Sequence, residues 1–255
     1  MFFFNQNLIE DYKSETQKIR VMSESWLQEY GYCVRCGKKL KHFKNNKPVA
    51  DLYCENCLEE YELKSSKNKL GKKILGSAYS VMIQKIDNNT VPNFFHLNYN
   101  KANYSINDLI VIPKHCMCKS IITARDPLPQ TARRAGWIGC YIDISSIPKS
   151  GKIYLIQNGV SIDKSKVIKQ FKKTLFLKNM KDEPKGWLLD IIKCIELLDK
   201  SQFTLDEIYA CENILKIKHP DNHNIRAKIR QELQILRDYE YLYFSKRGEY
   251  SLDKY

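Results

Sequence analysis

A chain of 255 residues, 43% of them hydrophobic, can bury one large core or two smaller ones, which excludes a disordered chain. No apolar run reaches the roughly 20 residues of a membrane-spanning helix, and the "MFFF" start has no basic residue before it, so a soluble cytoplasmic protein is expected. The formal net charge of +13 points to a polyanionic partner, most simply nucleic acid, and nine cysteines in a reducing compartment point to metal rather than disulfides.

The first predicted element is a helix over "KSETQKIRVMSESWLQEYGY". Ser14 and Gln17 are spaced as a capping box, and Ile19, Met22 and Trp26 recur at helical spacing. A cysteine-rich segment follows, from Cys33 to Cys57. Strands are expected at 60–65, 93–99, 108–113 and 152–157, with a helix at 77–86. The stretch "ARDPLPQTARRAGWIGC", 124–140, reads as a long irregular segment of the kind that carries function. "DKSKVIKQFKKTLFL" closes this part as a helix with Val167, Phe171 and Leu175 on its apolar stripe.

"KNMKDEPKG", 178–186, reads as a linker, which divides the chain into domains at 1–182 and 183–255. Beyond it come an amphipathic helix, "WLLDIIKCIELLDK", then "TLDEIYACENI" with a Thr204–Glu207 capping box. A third helix, "HNIRAKIRQELQILRD", follows, and then a hairpin around Lys246, Arg247 and Gly248. Three helices and a hairpin in about 70 residues make the pattern of a winged helix-turn-helix.

Cys33 and Cys36 form one C-x2-C pair, and Cys54 and Cys57 another, with 17 residues between them. That is the spacing of a tetrahedral zinc site, and four thiolates leave no open position, so the zinc is expected to be structural. "HCMC" at 115–118 lacks a second pair. Cys140, Cys194 and Cys211 lie in apolar runs and read as core.

Phosphodiester cleavage needs a divalent cation, and Mg²⁺ takes carboxylate and water oxygens with few protein ligands. Asp51 at the end of one strand and Glu62 on the next can supply two. Glu62 and Lys64 share a strand face, and Leu63 between them offers its carbonyl. Lys64 can orient or deprotonate the attacking water, or stabilise the transition state. Taken alone the pattern is weak, since a solvated strand face gives it often.

Pro48, Asp51, Glu62 and Lys64 nevertheless resemble the P-D…(D/E)-x-K signature of restriction-type nucleases, with two extra residues between Pro and Asp. The runs "TQKIRVMSESW", "YCVRCG", "PVADLYCENCLEEYELKS", "PNFF", "TARRAGWIGC", "FTLDEIY" and "KIRQELQILRD" extend the likeness over nearly the whole chain. The chain resembles the DpnI-like methyl-directed type II (type IIM) restriction endonucleases of the PD-(D/E)XK superfamily. The resemblance implies an α/β PD-(D/E)XK catalytic domain with a zinc site, then a C-terminal winged helix. It implies cleavage of both strands of GATC sites bearing N6-methyladenine, with Mg²⁺ at Asp51 and Glu62. The expected partner is double-stranded DNA methylated at adenine, bound by a monomer in both domains.

Arg226, Arg230 and Gln234 occupy one stripe of the third C-terminal helix, with side chains suited to guanine and adenine edges. Lys228 and Arg237 are expected at phosphates, as are Lys246 and Arg247 at the wing tip. Arg133, Arg134 and Trp137 mark the "TARRAGW" loop as a DNA contact, with Trp137 the first candidate for a wall against the adenine methyl and Trp26 and Trp187 assigned to core. A zinc-ribbon and winged-helix regulator without catalysis is the competing reading. An HNH nuclease would need His42 in a pattern that its surroundings lack.

Overall fold

The computed structural model describes residues 2–43 and 50–252. The strands are β1 (Phe2–Phe3), β2 (Lys41–His42), β3 (Leu52–Tyr53), β4 (Glu60–Ser66), β5 (Lys73–Ala78), β6 (Asn93–Tyr99) and β7 (Ser105–Ile112). They continue with β8 (Ile122–Ala124), β9 (Gly139–Asp143), β10 (Ile153–Gln157), β11 (Val160–Ser161), β12 (Gln202–Thr204), β13 (Tyr243–Lys246) and β14 (Glu249–Ser251). The α-helices are α1 (Glu15–Tyr30), α2 (Tyr79–Asp87), α3 (Lys164–Lys173), α4 (Asp182–Leu197), α5 (Leu205–Tyr209), α6 (Glu212–Lys218) and α7 (Ile225–Asp238).

The main sheet runs β11-β10-β7-β6-β4-β3-β2, with β1 added to β7. Among the described strands only β4 and β6 pair in parallel, and the crossover between them is β5 and α2. Every residue of β6 is buried, because both faces of this central strand are covered. Tyr61, Phe95, Leu97, Leu109 and Val111 pack with Met22 and Trp26 of α1 and with Val167 and Phe171 of α3. Phe94 and Ile112 pack on the other face with Met82 of α2, Cys140 and Ile142 of β9, and α4. The period of two thus sends Tyr61 and Leu63 toward the α1 core and Glu62 and Lys64 to the opposite face.

A second sheet, β5-β9-β8, lies on that opposite face and was not expected from sequence. Its strands are short and β5 carries Gly76, whose Cβ would lie 2.5 Å from Cys140 Sγ; glycine is what lets the two strands approach. Ser14 does cap α1 by position, but its side chain makes no cap hydrogen bond, so the expected box with Gln17 does not form.

The C-terminal region is a helix-turn-helix with a wing. The capping box at α5 is complete: Glu207 N donates to Thr204 Oγ1 at 3.3 Å and Thr204 N to Glu207 Oε2 at 2.7 Å. The strands β12-β14-β13 form the wing, turned by Gly248 at φ +77°. The linker expected at 178–186 is overturned. Asp182 begins α4, with Pro184 in the first turn, where a missing N–H costs nothing, and Asp182 and Glu183 complement the helix dipole. Lys185, Gly186 and Trp187 are buried, and α4 shares one continuous core with Cys116, Met117, Ile121 and Ile144.

Candidate active site and zinc centre

The two knuckles bring four thiols together, all ligand atoms within 4.8 Å of one another. Cys33 lies 3.4 Å from Cys57 and Cys36 3.4 Å from Cys54, so each close pair joins one knuckle to the other. A tetrahedral zinc with Zn–S bonds of about 2.3 Å needs S–S edges of roughly 3.8 Å, and the cluster fits that ion. Burial pushes the Cys33 thiol up to about 11, against the hydrogen bonds it receives from Tyr61 and the knuckle backbone. An ion that demands thiolates is what turns this cluster into a closed site. The first knuckle turns through Gly37 at φ +77°; the second does so through Leu58 at φ 58°, a left-handed conformation that costs a leucine about 1–2 kcal/mol.

The zinc cluster and the strand of the D…ExK pattern are joined directly. Tyr61, fully buried on β4, donates its hydroxyl to Cys33 Sγ at 3.1 Å and accepts from Val34 N at 3.2 Å. Its ring stacks on Phe95 at 4.8 Å. Glu59, 1% exposed, ends the second knuckle and pairs with Arg35 of the first at 3.0 Å and with Lys114 at 2.8 Å. Asn93 Nδ2 donates to it at 3.0 Å. Burial alone would raise the Glu59 carboxyl, but Lys114, Asn93 and Arg35 hold it below its ordinary value. Sequence reading missed both residues; an acid two residues after the last knuckle cysteine and an aromatic between two acids were the available signals.

Asp51 precedes β3, whose register pairs Leu52 with Tyr61 and Tyr53 with Glu60. Asp51 Oδ2 accepts from Leu63 N at 2.7 Å, so this carboxylate sits at the backbone between Glu62 and Lys64. Lys64 Nζ pairs with Glu62 Oε1 at 2.5 Å, with the Glu62 side chain 11% exposed. A carboxylate just before β3, bonded to Leu63 N, and another on the neighbouring strand are the oxygen donors that a hard divalent cation takes. Pro48 lies outside the described residues. His42 Nε2 meets the Glu24 carbonyl at 3.2 Å, which ties it to α1. A cleft of about 360 Å³ runs from Lys64 between α1 and β4, lined by Arg20, Glu24, Lys67 and Lys101.

The β5-β9-β8 sheet stands beside Glu62 and Lys64: buried Cys140 of β9 feels the charges of both, and of Arg125. The loop between β8 and β9 is closed by Leu128 N to Trp137 O and Gly136 N to Leu128 O, each 3.0 Å. Arg133 and Arg134 are exposed, and the Arg134 guanidinium lies 4.9 Å from the ring centroid of half-buried Trp137. Gly139 is required beneath that ring, since a Cβ there would lie 2.7 Å from it. Trp26 and Trp187 are core, at 5% and 2% exposure.

On α7, Arg226, Arg230 and Gln234 are all exposed on one stripe. Arg226 pairs with Glu212 at 2.7 Å and Arg230 donates to Tyr209 Oη at 2.7 Å, so both side chains are held against the neighbouring helices. Lys228 departs from the expected phosphate contact. It pairs with fully buried Glu232 at 2.6 Å and lies over Trp187, because a buried carboxylate draws the nearest cation inward. Arg237 is half-buried over Phe244 and bonded to Asp238. Lys246 and Arg247 are exposed at the wing tip, with Lys246 3.0 Å from Glu249. His115 bonds to Thr174 at 2.9 Å and Cys118 to Ser120, so "HCMC" forms no site.

Residues 1–180 match the family model described as the Dam-replacing family, DpnI, and residues 183–252 match the one described as the Dam-replacing helix-turn-helix domain. These cover the zinc cluster, the D…ExK strand and the winged helix in order, and with them the competing non-catalytic reading falls away. No helix among the described residues is long and apolar enough to cross a membrane. The chain belongs to the Dam-replacing (DpnI) family and is a DpnI-like methyl-directed restriction enzyme, a nuclease whose partner is DNA.

Proposed function

We propose that this enzyme cuts both strands of double-stranded DNA at GATC sites carrying N6-methyladenine, with Mg²⁺ held by Asp51, Glu62 and the Leu63 carbonyl. The observation that supports this reading most is the 2.7 Å bond from Leu63 N to Asp51, which holds the first carboxylate against the strand that bears Glu62 and Lys64. Bound Mg²⁺ supplies neutralisation of the scissile phosphate and a lowered pKa for water. Asp51 and Glu62 bind and orient the ion. Lys64, now paired with Glu62, is the group that orients or deprotonates the attacking water. The four-cysteine zinc holds these strands through Tyr61 rather than taking part in hydrolysis.

An adenine methyl adds no charge, so only apolar contact rewards it, at about 0.8 kcal/mol or roughly fourfold per methyl. Two methyls sensed by two domains give about 3.2 kcal/mol, roughly 200-fold. Trp137, half-buried and fixed by Gly139, supports a pocket wall in the first domain; Arg226, Arg230 and Gln234 support major-groove reading in the second, with Arg133, Arg134, Lys246 and Arg247 at the backbone. The test is digestion of one short duplex in four methylation states with Mg²⁺, alongside Asp51→Ala, Glu62→Ala and Lys64→Ala. Loss of cutting with DNA binding retained is expected of each variant. Cutting by Asp51→Ala at the wild-type rate would show the site assignment to be wrong.

A further inference from the structure

The cleft between α1 and β4 opens on Lys64, so whatever lies in it begins at that side chain. Its volume of about 360 Å³ admits a short length of one nucleic-acid strand and not a duplex. Ile19, Leu63 and Tyr99 give it apolar walls, which concentrate the field of the charges between them. Most of the charged groups that line it are already matched. Arg20 pairs with Glu24 at 2.6 Å, Lys64 with Glu62 at 2.5 Å, and Glu15 with Lys18 at 3.3 Å. Lys67 and Lys101 line the same cleft and form no ion pair among the described residues. The cleft therefore carries unmatched positive charge beyond Lys64, past the end of β4. The Ser65 hydroxyl oxygen, from another lining residue, is buried without a hydrogen-bond partner, a cost that an oxygen acceptor entering the cleft would remove.

Both lysines stand on backbone that the fold holds in place. β4 and β6 run parallel, with Ser66 opposite Asn98. Buried Asn98 donates through Nδ2 to the Ser66 carbonyl at 3.1 Å and the Asn68 carbonyl at 2.7 Å, one on either side of Lys67. Its Oδ1 accepts from Asn107 at 3.2 Å. Lys101 lies in the turn that leaves β6, closed by Tyr104 N to the Asn100 carbonyl and Ala102 N to Asn100 Oδ1, each at 2.8 Å. Two exposed ammonium groups without ion-pair partners are thus carried side by side on fixed chain at the ends of two neighbouring strands.

We propose that this cleft is a phosphate subsite for the strand being cut, with Lys67 and Lys101 as positioning residues that hold its backbone beside the scissile phosphate; this rests on the reading of Glu62 and Lys64 as catalytic residues. A compact ammonium suits a phosphate, whereas base edges call for the planar fork of arginine or an amide. Lys67 lies about 10 Å of strand beyond Lys64, which keeps the held phosphate within about three nucleotides of the cut. A strand held at Lys64 alone is free to turn about that contact. Holding it at a second phosphate fixes the scissile bond against the attacking water.

The test is single-turnover cleavage of a short methylated duplex, labelled in one strand, by full-length, zinc-loaded wild type, Lys67→Ala, Lys101→Ala and the double variant. Lys69→Ala, an exposed lysine outside the cleft, is the control. A neutral methylphosphonate replaces each phosphate near the cut in turn, in either strand. Wild-type cutting is expected to slow about tenfold at one position in the labelled strand; the double variant should cut the unmodified duplex about tenfold more slowly and lose no more than about twofold further at that position. The slope of its binding against salt on logarithmic axes should fall by about 0.9 for each lysine removed. Lys69→Ala should stay within about twofold of wild type in cutting. Equal losses in wild type and double variant at every position overturn the proposal, and so does a coupled position in the unlabelled strand. Lysines that serve only the fold would lower the melting temperature of the double variant and show no coupling to any phosphate, which also overturns it. If Lys64→Ala cuts like wild type, the catalytic reading has failed and the subsite placed by it falls too; an inactive Lys64→Ala beside absent coupling at Lys67 and Lys101 condemns the subsite alone.

Discussion

At the scale of single residues, the acid that ends the second knuckle ties the cysteine cluster to the sheet that carries Glu62. Glu59 joins both knuckles to the start of β6 through Arg35, Lys114 and Asn93. Its carboxyl is held below its ordinary 4.5, so its contribution is complete above that pH and is lost as pH falls through the lower folded-state value. Glu59→Gln should flatten the acid limb of a stability-against-pH curve measured by chemical denaturation. Glu59→Ala, which strands two cations, should cost about 3 kcal/mol or more at pH 7. Tyr61→Phe is a finer probe. It keeps the ring stack on Phe95 and removes the hydroxyl shared by Cys33 and Val34, so it should stay folded and speed zinc loss to a chelator about tenfold.

At the scale of elements, the second cysteine knuckle joins β3 to β4, and zinc held by the four thiols would clamp the two strands together. Sites of this kind carry about 10–16 kcal/mol of apparent binding free energy in isolated fingers, far more than a two-residue strand such as β3 can supply itself. Metal analysis of fresh protein should find one zinc. Its removal should abolish cleavage even with Mg²⁺ in excess, because Asp51 then loses its place beside Leu63 N. On α7, Arg230→Ala should weaken binding of the methylated duplex by roughly tenfold if the arginine reads a base. A phosphate role would instead weaken all sequences alike and reduce the salt dependence. Titration against duplexes with two, one and no methyls, at several salt concentrations, separates these outcomes.

At the scale of the whole molecule, the two regions recognised by separate family models are not joined like beads. Lys119 N donates to Asp182 at 2.9 Å, Ser150 N to Glu196 at 2.8 Å, and Lys193 Nζ to the Ser145 carbonyl at 2.7 Å. Phe176 stacks on Tyr239 at 4.9 Å, and buried residues of both regions form one cluster. Differential scanning calorimetry should show a single transition, and protease should not release a folded fragment by cutting at 178–186. Two separate transitions would mean that the shared core adds little. A joined molecule also holds α7 in a fixed place relative to β4.

Spacing alone carried the four cysteines, because metal ligation constrains ligand identity and separation within a short loop. Chain-local signals likewise carried β4, β6, α7 and the Thr204–Glu207 box, where alternation, helical period or a cap depends on near neighbours. The D…ExK residues were legible mainly through family resemblance, since the two extra residues and an unremarkable charged strand hide them otherwise. Tertiary structure decided the rest. The β5-β9-β8 sheet exists only because its short strands pair across 60 residues and pack on the main sheet. "KDEPKG" is polar enough to read as a linker, yet the core beneath it makes it the first turn of α4. Lys228 looks like a phosphate contact until the fold buries Glu232 next to it. Each of these depends on which distant residue ends up beside which, a matter of packing and burial that no local pattern along the chain records.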